Sequence, residues 1–319
     1  MPYKDNFISG YTIPLPIVGD ESLLVPLRNG NGYVLDYHHH SVVMNRQRKM
    51  AFFTASNIDG ESWQPIDRSG DFEKDTHQVD AGFQLGEELY AAISKTANKE
   101  NDFDQGHLTS FQEVLWGETS EKQRAGADTF YFTNCVPQHS LLNKGAWRSL
   151  EQFVTKKAAD RNNLSVAVLT GPVMLPGDPY FIKQVNGEFI KVPCAFWKII
   201  YYQSDNRLKA VGFMMSHKNL LLEDQTVTYD RQDVEDRSLV EVEDIFMEFP
   251  KAATYQVKVE FIEQVTGLGF FLKGVDLPFR QNESKEIIFK RIEVEANRGF
   301  EGASFIDTPS PFELEGLVL

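Results

Sequence analysis

"NDFDQGHLTSFQEVLWG", Asn101 to Gly117, places one histidine between a glycine and a leucine, three residues after an aspartate. The chain has only 7 histidines, and this one stands where a polar stretch turns apolar. One reading is a strand end or helix start that happens to contain His107. The other is a general base, a role that suits imidazole because its unperturbed pKa lies near neutrality. The stretch alone leaves both open, and the flanking sequence has to choose.

Downstream, "TFYFTNCVPQ" (Thr129 to Gln138) reads as a strand ended by proline, and "GAWRSLEQFVTKKAADR" (Gly145 to Arg161) as a helix. Trp147, Leu150, Phe153 and Val154 fall on one face of that helix. Upstream, "HSVVMN" and "MAFFTAS" flank polar "RQRK" and predict a hairpin. "SVAVLTGPV", "AFWKIIYYQ" and "KAVGFMMSH" are buried-strand candidates. "YQVKVEFIEQVTGLGF" reads as a strand or linker and a short helix stopped at Gly267. A short helix is expected near Gly86 to Lys95. These pieces predict an α+β protein with strands grouped around few helices. Residues 1–32, rich in Pro and Gly, read as an irregular N-terminal arm, 33–275 as the main domain, and 276–319 as a C-terminal extension.

The 319 residues suffice for a sizeable core, and 42% hydrophobic content is a globular value. A formal net charge of -14 argues against a general basic coat for tight nucleic-acid binding. Charge is uneven, however. Lys144, Arg148, Lys156, Lys157 and Arg161 fall between Ser140 and Arg161, whereas acids dominate 219–249. An anionic ligand would meet the first stretch. Cys135 and Cys194 each sit in an apolar run and read as reduced core residues. No run reaches ~18 apolar residues and the start lacks an apolar signal core. The expectation is a cytoplasmic chain without membrane association, unless another route delivers or exports it.

Three pieces carry the chemistry: "DQGH" (Asp104 to His107), "TNCVPQ" (Thr133 to Gln138) and "LNKGAWRSLE" (Leu142 to Glu151). Phosphodiester hydrolysis needs a base for water, a divalent metal and a cation for the equatorial oxygens. His107 suits the first role, and Asn143 offers a hard oxygen to a cation that keeps several waters. On one straight helix Asn143 and Glu151 would stand ~12 Å apart, too far to share a metal directly. Gly145 offers a break, which would put Asn143 in a loop entering the helix and let Glu151 act through water. Bland alternatives stand beside these: Asn143 as a helix cap, Glu151 as a solvated helix residue, His107 as a structural histidine. The run His38, His39, His40 cannot converge on one ion from a strand, because neighbours face opposite ways. It is read as structural or surface.

Taken together, "DQGHL", "DTFYFTNCVPQ" and "LNKGAWRSLE" resemble the DNA/RNA non-specific endonucleases of the ββα-metal type, the group that includes mitochondrial endonuclease G. The resemblance covers roughly Gly32 to Phe270 and rests on the order and spacing of the motifs. It implies a central antiparallel β-sheet flanked by helices, with a ββα-metal catalytic motif. It implies His107 as general base, Asn143 as direct Mg²⁺ ligand (Mn²⁺ as substitute), and Glu151 holding water on the metal. Arg68 in "IDRSGDF" is the candidate phosphate clamp, and Lys144 and Arg148 are candidate substrate contacts. Asp104 is expected to orient the motif strand or His107. One position departs: the family's arginine before Gly106 is Gln105 here, which keeps hydrogen bonding and loses a charge at a candidate substrate position.

Three functions stay open. The first is a metal-dependent nuclease of DNA and RNA with little sequence discrimination, since contacts to phosphate carry no sequence information. The second is a non-catalytic nucleic-acid-binding descendant, and the third a protein-interaction module using the acidic 219–249 stretch. The expected partners are DNA and RNA, with room for a homodimer and a regulatory or inhibitor protein. A bacterial defence or toxin role would explain how a non-specific nuclease spares its host.

Overall fold

The structure is a computed structural model that describes residues 1–91, 103–158, 163–229, 252–281, 283–291, 312–315 and 317–318. Alternation in the long apolar runs decides the architecture, because each strand of a covered sheet has two faces to bury. Among the described residues nine strands form one sheet, in the order Phe312–Glu315, Lys285–Arg291, Thr254–Val257, Arg207–Ser216, Ala195–Ser204, Ser165–Val173, Met50–Asp59, His40–Asn45, Val34–Asp36. Every neighbouring pair is antiparallel. The fold is α+β, as the sequence predicts. The hairpin around "RQRK" is present, closed by Lys49 at φ 56°.

One sheet face carries Val42, Ile58, Val166, Val168, Phe196 and Ile200, packed against Trp147, Leu150 and Val154 of the helix Arg148–Lys156. The other carries Val43, Phe53, Ala167, Leu169, Trp197 and Ile199. Tyr3, Ile8 and Ile13 cover that second face together with Val259 and Ile262 of the helix Val259–Thr266. The arm, read from the sequence as irregular, holds the short strand Ile17–Val18 and the 3-10 turn Glu21–Leu23, and its apolar side chains belong to the core. At the other end, strand Lys285–Arg291 pairs with Thr254–Val257 and so widens the same sheet. The helix Val259–Thr266 ends at Gly267 with φ 67°, a left-handed cap that glycine adopts without strain.

Two expectations on element limits change. The run "TFYFTNCVPQ" is not one strand: Phe132–Asn134 is a 3-10 turn, and the strand is Cys135–His139. The buried Asn134 side chain accepts from Thr109 N and donates to the carbonyls of Thr109 and Thr129, at 2.9 to 3.0 Å. That amide replaces ladder bonds and turns the chain. The helix expected near Gly86 to Lys95 is seen as Glu87–Tyr90, and residues beyond 91 up to 102 lie outside the described residues. Most of the acidic stretch also lies outside them, from 230 to 251.

Candidate active site

Strand Phe103–His107 pairs antiparallel with Cys135–His139 in a separate two-stranded sheet. The chain then runs straight into helical residues from Ser140 to Lys156. Two strands and a helix thus bring "DQGH", "VPQ" and "LNKGAWRSLE" together. Gly106 permits this closeness. A Cβ there would stand 2.3 Å from Oε1 of Gln138, so the space a side chain would occupy is filled by Gln138 rather than left for substrate. Both polar atoms of the Gln138 amide are enclosed without a partner.

The helix is interrupted where the sequence predicts. Gly145 has φ -100° and ψ -112°, outside helical values, inside a π-type turn Asn143–Trp147. Asn143 itself is helical, at φ -59° and ψ -47°, one turn into the element rather than in a loop before it. Its side chain does not cap. Asn143 Nδ2 donates to Asp104 Oδ2 at 2.9 Å, and Lys144 Nζ donates to Asp104 Oδ1 at 3.0 Å. Asp104 therefore orients Asn143 and Lys144, not the imidazole. With its nitrogen committed, the Asn143 carboxamide oxygen accepts no hydrogen bond among the described residues.

His107 closes the same strand. It is 8% exposed, and among the described residues its Nε2 is enclosed with no hydrogen-bond partner. The rings of Phe72 and Phe130 lie against it, with centroids 4.8 and 5.2 Å away. Trp147 Nε1 donates to the His107 carbonyl at 3.3 Å, tying strand to helix. Burial pushes the imidazole down to about 3, aided by the Arg68 charge and by His40. The base candidate is neutral at any ordinary pH. Arg68 is exposed, with its guanidinium 5.2 Å from the centre of the Phe130 ring. Among the described residues it makes no hydrogen bond or ion pair, so its donors are available. Arg148 is exposed on the helix.

Glu151 has Oε1 enclosed and unpartnered. Burial pushes its carboxyl up to about 8, against the opposing pull of Lys198 and with repulsion from Glu113. Glu113 and Lys198 form an ion pair of 2.7 Å with both side chains at 0% exposure. These two were not singled out from the sequence, although a lysine in the centre of "AFWKIIYYQ" is the signal that could have found them. Gln105 donates to Glu87 Oε2 at 2.9 Å. The position that departs from the family's arginine thus meets Glu87 through a neutral amide. The three consecutive histidines go separate ways: His38 to Asp128, His39 onto the Trp116 ring, His40 onto Tyr37.

Among the described residues no three His, Cys, Asp or Glu side chains gather into a metal site. What the site does offer is an oriented carboxamide oxygen and, on the same helix, a Glu151 carboxyl oxygen without a partner among the described residues. Both are hard donors, which fits a cation that keeps most of its water.

This strand–strand–helix element on a central antiparallel sheet defines the class. The family model for DNA/RNA non-specific endonucleases matches residues 25–276, and the chain belongs to that family. An uncharacterised protein, y4fB, of Sinorhizobium fredii is 35% identical over 230 residues, 69% of this chain and 33% of that protein. Mitochondrial Endonuclease G of Homo sapiens is 35% identical over 108 residues, 32% of this chain and 34% of its own length. The chain thus spans about a third of the length of these curated relatives. The solved structure of an EndoG/EndoGI complex is similar with a TM-score of 0.54 at 21% identity, over 78% of this chain and 91% of that one. That likeness concerns the fold. No helix among the described residues is long and apolar enough to cross a membrane.

Proposed function

We propose that this chain is a Mg²⁺-dependent endonuclease that hydrolyses phosphodiester bonds in DNA and RNA without reading sequence. The observation that carries the reading is the Asp104–Asn143 bond of 2.9 Å. It fixes a carboxamide oxygen on the strand–helix element that also holds a neutral, enclosed imidazole.

His107 takes the proton from water as the water oxygen bonds to phosphorus and the bond to the leaving oxygen breaks. Arg68 faces the equatorial oxygens, where negative charge accumulates. Lys144 and Arg148 hold flanking phosphates, and Gln105 contributes a neutral contact. Asn143 would hold the divalent cation directly and Glu151 through water, with Mn²⁺ able to replace Mg²⁺. When bound, that cation offsets charge on the phosphate and on the leaving oxygen. Because every one of these groups addresses phosphate, sugar and base go unread.

A non-specific nuclease requires restraint. EndoG is seen in complex with EndoGI in a structure concerned with its inhibition, which supports an inhibitor protein as a partner here too. A bacterial defence or toxin setting and a homodimeric state belong to the same reading. Digestion of plasmid and total RNA with Mg²⁺, Mn²⁺ or EDTA tests it. Metal-dependent cutting of both polymers is expected, and no cutting under any metal would leave a catalytically impaired nucleic-acid-binding or protein-interaction module.

A further inference from the structure

We propose that His139 is a positioning residue for Asn143, held from both ends of the helix Lys218–Glu223 by His217 and Asp224. This rests on Asn143 as the cation ligand. His139 is buried where strand Cys135–His139 passes into the helical run from Ser140. Its backbone is extended, at φ -60° and ψ 136°, and its Nδ1 accepts from Leu141 N at 3.2 Å. The imidazole therefore caps the turn that leads to Asn143, a task more often given to Ser, Thr, Asp or Asn.

The cap matters because that turn stands nearly alone. Gly145 breaks the helical path just beyond Asn143, and a single turn gains little of the cooperativity that holds a long helix. Asn143 N donates to Ser140 O, within the turn itself. Leu142 is buried in the core, but apolar burial has no direction and does not set the rotation that aims Asn143. Direction comes from two sides. Asp104 holds the carboxamide nitrogen, and His139 holds the backbone where the turn starts.

A histidine can cap in this way only while its Nδ1 carries no hydrogen. His139 Nε2 lies 2.7 Å from Asp224 Oδ2, and a carboxylate only accepts. The pair keeps the ring hydrogen on Nε2 and leaves Nδ1 as the acceptor, much as an outer carboxylate fixes the tautomer of a metal-bound histidine. At the other end of the same helix, His217 Nδ1 accepts from His139 N at 3.0 Å. His217 Nε2 in turn donates to Pro193 O at 2.7 Å. Asp224 closes the helix Lys218–Glu223, where a carboxylate opposes the helix dipole, and the bond to His139 offsets that cost. One short helix thus grips both the backbone and the ring of His139, and His139 passes the grip to the turn of Asn143.

Calorimetric titration of Mn²⁺ into the full chain tests this role. His139→Ala and Asp224→Ala are each expected to bind Mn²⁺ about tenfold more weakly than wild type, as when a group that orients a metal ligand is lost. His139→Asn is expected to bind as wild type does, because asparagine caps well and has no tautomer to fix. Adding Asp224→Ala to His139→Asn should then cost no further affinity. Asp224 is partly exposed, so its variant serves if His139→Ala does not fold. Unchanged Mn²⁺ affinity in both alanine variants, even with a lowered melting temperature, would overturn the role. A loss in His139→Asn equal to that in His139→Ala would overturn it too. Wild type that binds no Mn²⁺ would instead overturn Asn143 as the ligand. Hydrogen exchange at the Leu141 and Asn143 amides then decides the clamp: faster exchange in Asp224→Ala supports it, and unchanged exchange overturns it.

Discussion

The two faces of the central sheet come from the same strands by alternation, yet they bury different chemistry. On the face under the helix Arg148–Lys156, register aligns Val42, Thr54, Thr170 and Lys198 in one row. His40, Ser56, Val168 and Ile200 form the next. On the reverse face, Ser41, Ala55, Leu169 and Ile199 align, and Ser41 is the one polar member of that row. Buried polar groups cost stability unless they are paired, so their concentration on one face asks what they hold. Thr54 bonds Thr109 at 2.9 Å, Ser56 bonds Glu113 at 3.1 Å, and Lys198 pairs with Glu113. All three seize the segment just after His107. The polar face pins the base candidate to the sheet, while the apolar face supplies cohesion.

This contrast is best broken at its most active point. His107→Ala should lower kcat by roughly 10²–10⁴, the range for loss of a general base, with the melting temperature little changed. Single-turnover cleavage of a plasmid checks it, and a loss under tenfold would contradict the role. Next come Lys198 and Ile199, adjacent residues on opposite faces. Lys198→Met leaves Glu113 buried and unpaired and should cost about 3–5 kcal/mol of stability, with catalysis falling as well. Ile199→Ala should cost about 2–5 kcal/mol and leave kcat intact in whatever fraction folds. Urea unfolding paired with turnover separates the two. Equal catalytic losses would erase the distinction between faces.

Acid sharpens the comparison further. Burial holds His40 at about 4, and His107 and His217 at about 3. His217 Nδ1 accepts from His139 N at 3.0 Å while Nε2 faces Pro193 O at 2.7 Å, which requires the neutral ring. Their folded pKa values lie below the unfolded value of about 6.5. Above that pH neither state takes up protons and their contribution to stability is complete. As pH falls from 6.5 towards 4 the unfolded chain is protonated first. Stability then drops by up to about 1.4 kcal/mol per pH unit for each histidine. Urea unfolding at pH 8, 6 and 5 should show this decline, and His217→Gln should flatten it. A stability constant down to pH 5 would show that these rings are not held neutral. The smallest effect is expected at Gln105→Arg, where an exposed ion pair with Glu87 should add no more than about 1 kcal/mol. Thermal melting checks it.

The long sheet strands, their hairpin and the helix Arg148–Lys156 were legible in the sequence because each is a local pattern of apolar spacing, whereas "TFYFTNCVPQ" read as one strand and is not. The break at Gly145 was legible too, whereas His38, His39 and His40 part for another reason than strand alternation: the strand begins only at His40, and His39 turns the chain at φ 67°. The polar row was not legible, because Thr54, Thr170 and Lys198 lie far apart in the chain and meet only through register. Nor was the contact of Phe72 with His107: "IDRSGDF" has no periodicity, and only tertiary packing lays Phe72 on the imidazole. Asp104 was expected to serve the strand or His107. Its bond to Asn143 depends on Asn143 being one turn into the helix, which spacing alone does not reveal. The arm's burial escaped for a similar reason, since Tyr3, Ile8 and Ile13 are isolated among polar and Pro-rich neighbours.

The central claim is a division of labour, with His107 handling the proton and Asn143 the cation. Calorimetric titration of Mn²⁺ into His107→Ala and Asn143→Ala, beside single-turnover cleavage by each, tests it most directly. Both variants should lose cutting, while His107→Ala binds the cation as wild type does and Asn143→Ala does not. Cation binding that fails in His107→Ala, or survives unchanged in Asn143→Ala, would contradict the assignment.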